Sequence, residues 1–474
     1  MNRRCFLKQA AAAAAMLTGV TACSPAGKQP NIVFIFIDDM GYADPGCFGN
    51  PVMKTPNMDR LAEQGVRFTN FYVNSPICSP SRVSVTTGQY PQRWRIQSYL
   101  DSRAKNKRRR MADYLDPEAP TLARLLKQQG YATAHFGKWH MGGGRDVDDA
   151  PLPAQYGFDE SLVSFEGLGD RYVFFGGRLQ EESVRLGQGD ILRGPKHKAT
   201  GIYVDKAIQF IREHQEQPFY VRVFPNDVHD GHHPEQGAAE KWKSVTENPY
   251  EQKFFAVLEE MDKQLGRLID EIESLDLAKD TLIILTSDNG PTDWPKYYEA
   301  GWNPPGFTGP FYGRKWSLYE GGIRMPFIAR WDGKIPADRR DDQTVMAGID
   351  LLPTLCRLAD VQIPAAVNPD GEDMSRALLG RPMARSKPLC WEYGAFGSIQ
   401  PGNPDHVSPV LAVRDCRWKL LMNPDDSDRQ LYDLIEDPGE TVNRVAEQPG
   451  IAEKLSEQAL EWWREMRSYY PVEN

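Results

Sequence analysis

The apolar residues of this chain fall into two spacings. Asn31-Ile32-Val33-Phe34-Ile35-Phe36-Ile37 is apolar at six consecutive positions, so a strand there has two buried faces, as in the middle of a parallel sheet. Tyr131 to Phe136, Phe219 to Phe224 and Thr281 to Thr286 repeat that pattern. Between them the spacing lengthens to three and four. Asn57 to Gly65 reads as a helix with an Asn cap and a Gly stop, and Thr121 to Gly130 as another with Leu122, Leu125 and Leu126 on one face. Gln252 to Leu275 is a long amphipathic helix. Strands alternating with helices predict an α/β fold built on a doubly wound, mostly parallel sheet.

After Ile363 the pattern changes. Residues 364–385 are rich in Pro, Ala and Gly and read as a connection. Pro388 to Tyr393, Val410 to Arg414 and Trp418 to Met422 are short strands, and Ile451 to Trp463 is a final helix. The expected division is a main α/β domain over 24–363 and a smaller antiparallel sheet plus helix over 364–474. Residues 1–23 stand apart. Arg3-Arg4, then Phe6-Leu7-Lys8 and an Ala-rich run to Val20, read as a twin-arginine export signal. Val20-Thr21-Ala22-Cys23 resembles a lipoprotein cleavage box. The expected mature chain is a periplasmic or outer-membrane lipoprotein that meets the membrane only through a lipid on Cys23.

Composition narrows the function. The chain has 474 residues and a net charge of −9, which argues against a nucleic-acid partner. No internal stretch reaches the roughly 18 apolar residues of a membrane span. Cys47, Cys356, Cys390 and Cys416 suit neither a zinc site nor a dense disulfide framework and read as buried thiols.

In open α/β sheets ligands bind at the carboxyl ends of the strands. Asp38-Asp39 follows the first strand, Gly137-Lys138-Trp139-His140 the second, Asn226, Asp227 and His229 the third, and Ser287-Asp288-Asn289-Gly290 the fourth. Adjacent carboxylates at a buried strand end repel and call for a cation, although a lone Asp there could also cap the next helix. Oxygen donors without a Cys or His cluster suit Ca²⁺ or Mg²⁺ better than Zn²⁺.

Cys78-Ser79-Pro80-Ser81-Arg82, followed by Thr87-Gly88, carries the most specific signal. It resembles the signature of the type I, formylglycine-dependent sulfatases of the alkaline phosphatase superfamily. Four other segments resemble that family's motifs: Gly137 to His140, Ser287 to Gly290, Lys315 with Tyr319 to Pro326, and Leu431-Tyr432-Asp433-Leu434. The resemblance covers nearly the whole chain after Pro30. It implies hydrolysis of sulfate esters, on a sulfated saccharide of galactose type, after a maturation enzyme has oxidised Cys78 to formylglycine. It implies a cation, Ca²⁺ ahead of Mg²⁺ or Mn²⁺, held by Asp38, Asp39, Asp288, Asn289 and the modified Cys78. Arg82 and Lys138 would hold the aldehyde hydrate, and His140 would take the proton that releases sulfate. His229 and Lys315 would contact sulfate and protonate the leaving oxygen, with His232 and His233 close enough to compete with His229.

Two weaker signals follow. Gly142-Gly143-Gly144 leads into Arg145, Asp146 and Asp148, which are candidate contacts to sugar hydroxyls. Arg103 to Arg110 is a basic run that reads either as an attractor of anionic glycan or as a solvated loop. Two other functions stay open: a phosphonate or phosphate ester hydrolase of the same superfamily, and a catalytically silent lipoprotein that binds sulfated glycans.

Overall fold

Residues 28–470 are described by a computed structural model; the expected export signal and Cys23 lie outside them. The main sheet contains β1 (Asn31–Ile37), β2 (Val66–Tyr72), β3 (Ala132–Lys138), β4 (Glu160–Ser164), β5 (Arg171–Phe174), β6 (Ile191–Gly194), β7 (Phe219–Phe224), β8 (Thr281–Ser287), β9 (Arg324–Arg330), β10 (Arg339–Asp341) and β11 (Met346–Ala347). They run in the order β10-β2-β9-β8-β1-β7-β3-β4-β5-β6, with β11 on β2. All described pairings are parallel except those of β9 with β2 and β8.

The strands with continuous apolar runs lie in the middle, and the reason is visible in β1. Ile32, Phe34 and Phe36 join one core, while Val33, Ile35 and Ile37 join a second on the opposite face. The second core is closed by the helices Ala199–Glu213 and Pro249–Ser274. The first is closed by the helices Cys78–Thr87, Leu122–Lys127 and Leu351–Leu358 and by the C-terminal sheet. That second sheet is an antiparallel meander of β12 (Leu389–Glu392), β13 (Leu411–Asp415), β14 (Trp418–Met422) and β15 (Gln430–Asp433), covered by the helix Pro449–Arg467.

Two details differ from the sequence reading. The first helix runs Pro56–Glu63, with Thr55 at the cap position and Pro56 opening the first turn. Asn57 lies inside the helix, where its amide and backbone N–H bind Asp262 across the domain, so it joins two helices instead of capping one. The four remaining cysteines are free thiols, but Cys416 is exposed, on the turn between β13 and β14.

A buried ionic network ties the two sheets together. Lys419 on β14 is fully buried, with its Nζ 2.9 Å from an oxygen of Glu320 and 2.9 Å from one of Glu440. Arg324 also binds Glu320 at 3.2 Å. Removing one member of such a group strands the others without solvent. Among the described residues, Lys419→Met leaves buried Glu440 with no cationic partner and Glu320 with Arg324 as its one ion pair, and is expected to cost about 3–5 kcal/mol in urea unfolding. An unchanged unfolding midpoint would contradict that role.

Candidate active site

Four neighbouring strands, β8, β1, β7 and β3, point their carboxyl ends the same way. Asp38 and Asp39 follow β1, Lys138 ends β3, the segment to His229 follows β7, and Asp288 and Asn289 follow β8. The segment after β2 leads directly into Cys78, the first residue of its helix. Pro80 falls in the first turn, where its missing N–H has no helical partner to lose. Thr87-Gly88 closes the same helix: Gly88 adopts φ +68° and its N–H returns to Ser84 O. The motif thus sets a short buried helix with Cys78 at its N-terminus, the end whose dipole favours an anion.

The side chains converge there. Lys138 Nζ lies 2.8 Å from both oxygens of Asp38. Arg82 donates to Asp288 Oδ2 at 2.6 Å and to Lys138 O at 3.0 Å, with its guanidinium over Phe36 and Phe224. Lys315, held through its N–H to Pro291 O, donates to Asp39 Oδ1. His229 Nε2 faces Asp39 Oδ2 at 3.7 Å, and its Nδ1 bonds Asp230 O. Of the neighbouring histidines, His232 turns away to Val228 O and packs on Phe254. Gly137 permits the approach of β3: a Cβ there would sit 2.2 Å from Phe224 O. Asp39 and His140 both hold the left-handed conformation, at φ 62° and 52°, the kind of backbone strain that gathers at working sites.

The electrostatics are those of a crowded, dry site. Burial would raise Asp38, but Lys138, His229 and Arg82 hold it well below the usual carboxylate range. Burial and the neighbouring Asp38 and Asp39 push Asp288 up, against Arg82. Burial, with Lys138 and Arg82 beside it, holds the His140 imidazole well below the histidine range, so the ring is neutral. Burial also lowers His229, to about 4. The Cys78 thiol is pushed up by burial, so a ready thiolate is not what this pocket provides.

Among the described residues, two groups of side chains could hold a metal ion: Asp38, Asp39 and His229, and Asp38, Cys78 and Asp288. Asp39 Oδ2 and Asn289 Oδ1 are buried without a hydrogen-bond partner. Two orphaned oxygens beside three converging carboxylates fit a hard divalent cation. Both ring nitrogens of His140 are likewise buried and unpartnered.

A cavity of about 320 Å³ opens on this cluster, lined by Asp38, Lys138, His229, Asn226, Phe165 and Phe175 among others. Phe165 stacks edge-on against His140 and lies under Lys138 Nζ. Lys196 Nζ donates to His229 O and Gly231 O and so fixes the loop that carries His229. Phe165, Phe175 and Lys196 gave no signal in the sequence, because only the folding of β4 to β6 brings them here. The loop after His140 behaves differently from expectation. Arg145 is locked between Asp101 and Glu166. Asp146 and Asp148 hold Arg103 instead, and neither lines the cavity. The basic run is therefore partly neutralised at its first residue, and Arg109 is buried over Tyr99.

Comparison with known proteins gives consistent matches. The family model described as Sulfatase matches residues 30–361, and that described as N-sulphoglucosamine sulphohydrolase, C-terminal, matches residues 309–465. An N-acetylgalactosamine-6-O-sulfatase of Bacteroides thetaiotaomicron is 30% identical, over 91% of this chain and 92% of its own. Arylsulfatase A of Homo sapiens is 31% identical, over 90% of this chain and 86% of its own. The fold of Ps i-CgsB, solved in complex with k-i-k-neocarrahexaose, matches with a TM-score of 0.75 at 23% identity, over 92% of this chain and 93% of that one.

Proposed function

The chain belongs to the sulfatase family and hydrolyses sulfate esters; we propose that its nucleophile is a formylglycine made from Cys78 and its substrate a sulfated sugar. The observation that carries the mechanism is the placing of Cys78, with a suppressed thiolate, among Asp38, Asp288, Lys138 and Arg82. A maturation enzyme would convert its side chain to an aldehyde, which hydrates to a geminal diol. One diol oxygen attacks sulfur while the bond from sulfur to the bridging ester oxygen breaks. Lys315 supplies the proton to that leaving oxygen, and neutral His229 lies beside Asp39 to contact the sulfate. Neutral His140 then accepts a proton from the second hydroxyl, the carbon–oxygen bond to sulfate breaks, and the aldehyde returns. Arg82 and Lys138 hold the diol oxygens.

Asp38, Asp39, Asp288 and Asn289 would hold the cation, for which their oxygen donors favour Ca²⁺. When bound, it supplies positive charge to the sulfate oxygens and the nucleophile. The sugar is supported by the bacterial relative, which acts on N-acetylgalactosamine 6-sulfate by name, and by the cavity wall. Phe175 is 64% exposed there, a surface suited to the apolar face of a sugar ring. Asn226 is buried, and its Oδ1 lacks a donor that a sugar hydroxyl would provide. Residues 1–23 add export as a lipoprotein to this reading.

The test is a side-by-side assay of 4-nitrophenyl sulfate and 4-nitrophenyl phosphate, using protein made with a formylglycine-generating enzyme. Sulfate is expected to be preferred at least tenfold in kcat/KM, with activity lost on chelation and restored by Ca²⁺. A preference for phosphate would favour the phosphoester alternative. An active preparation whose residue-78 peptide has the mass of unmodified cysteine would refute the formylglycine.

A further inference from the structure

A second cleft, of about 1130 Å³, lies between the β2 edge of the main sheet and the turn joining β13 to β14. Seven of its lining side chains are basic and two are acidic, in a protein whose net charge is −9. None of Asp38, Asp39, Cys78, Lys138 or Asp288 lines it. Two segments run from its wall to the reaction centre: Tyr42 lies three residues past Asp39, and Phe311 four residues before Lys315.

Most surface arginines are neutralised by a neighbouring carboxylate, and four here are. Arg340 meets Asp342, Arg385 meets Asp350, Arg417 meets Asp433 and Arg324 meets Glu320. Among the described residues, Arg67, Lys387 and Arg414 have no such partner. Arg67 donates to Cys47 O, and Lys387 to Asp370 O. Arg414 is buried, over the Tyr72 ring at 4.8 Å, and binds only Cys416 O, Asn70 and the Tyr72 hydroxyl. Tyr72 in turn donates to Glu320, which joins Arg414 to the buried network beneath the cleft. That network holds three cations, Lys419, Arg324 and Arg414, against two carboxylates, Glu320 and Glu440. A buried cationic surplus is costly unless an anion completes it. Arg67 and Lys387 on the walls extend the same field toward solvent.

We propose that this cleft is a second binding site, for sulfate groups on an anionic glycan chain whose scissile sulfate lies in the reaction centre. The proposal rests on the reading of the substrate as a sulfated sugar. Planar guanidinium groups match sulfate oxygens in the way they match carboxylate and phosphate. A chain that occupied both sites would gain affinity by being held twice.

Calorimetry with the full chain in a Cys78→Ala background tests this, using a chondroitin 6-sulfate hexasaccharide and, separately, inorganic sulfate. Arg67→Gln combined with Lys387→Gln spares the buried network, so folding is not at issue. The pair is expected to raise the hexasaccharide Kd at least tenfold at low salt and to flatten its salt dependence. An unchanged Kd, or no hexasaccharide binding to the parent, would overturn the proposal. So would inorganic sulfate binding as tightly as the hexasaccharide with the same dependence on Arg67 and Lys387, since the site would then serve free sulfate. Turnover of 4-nitrophenyl sulfate by the enzyme with Cys78 intact reports on the reaction centre alone, so failure there tells against the catalytic reading and not against the cleft.

Discussion

Cys78→Ser is expected to react once and stop. A serine hydroxyl can attack sulfur, but its carbon carries no second oxygen. The sulfate then transferred to residue 78 has no neighbouring hydroxyl to expel it, and water must attack the sulfur directly. Multiple turnover should fall by about 10⁴–10⁶, as when a nucleophile is removed elsewhere, while mass spectrometry shows one added SO₃ on residue 78. Cys78→Ala should lose turnover to the same extent with no added mass. Its fold should survive, because the thiol makes no hydrogen bond and its loss leaves a void of about one atom, costing about 1 kcal/mol. Steady turnover by the serine protein, with no aldehyde at residue 78, would remove the geminal diol from the mechanism.

What the sequence disclosed follows from burial. Strands buried on both faces need unbroken apolar runs, so β1, β3, β7 and β8 were legible, and so were the polar residues at their ends. β2 carries Arg67, Thr69 and Asn70 in its seven residues, and β9 contains a proline, so neither announces itself. Yet β2 delivers Cys78 and β9 makes the antiparallel step in the sheet. Nearness along the chain was the poorer guide. Asp146 and Asp148 follow His140 closely in sequence, but Gly142 and Gly143 at φ +127° and +96° turn the chain away, toward Arg103. Phe165, more than twenty residues on, lines the cavity where those aspartates were expected. The fold and the charged cluster were thus readable from local pattern, whereas the cavity wall is assembled from the segments after β4 to β7 and has no local pattern.

The charged cluster also separates function from stability, and Asp39 is where the two come apart. The residue sits at φ 62°, a conformation that Asn tolerates as well as Asp and most other residues tolerate poorly. Asp39→Asn therefore keeps the backbone and the side-chain shape. It removes one of three crowded carboxylate charges, and with it the counter-ion of Lys315 and the oxygen Oδ2 that has no protein partner. Asp38 and Asp288 still offset the buried Lys315 charge, and the unpartnered Oδ2 contributes nothing to the fold by itself, so the substitution should shift Tm by no more than about 4–5 °C, an effect on the order of 1–2 kcal/mol for a chain of this size. The reaction loses far more. The amide is a weaker donor to a hard cation, and an ammonium without its partner is less firmly placed for proton delivery. Together these should lower kcat by about 10³, or about 4 kcal/mol of transition-state stabilisation. Cation content by elemental analysis should fall in parallel, and added Ca²⁺ should restore part of the activity. Asp39→Ala should show the same loss with a further drop in Tm, because alanine meets the left-handed backbone without a polar side chain to support it. Full cation content and wild-type turnover in Asp39→Asn would mean that the metal is held elsewhere and that Asp39 serves only to fix Lys315.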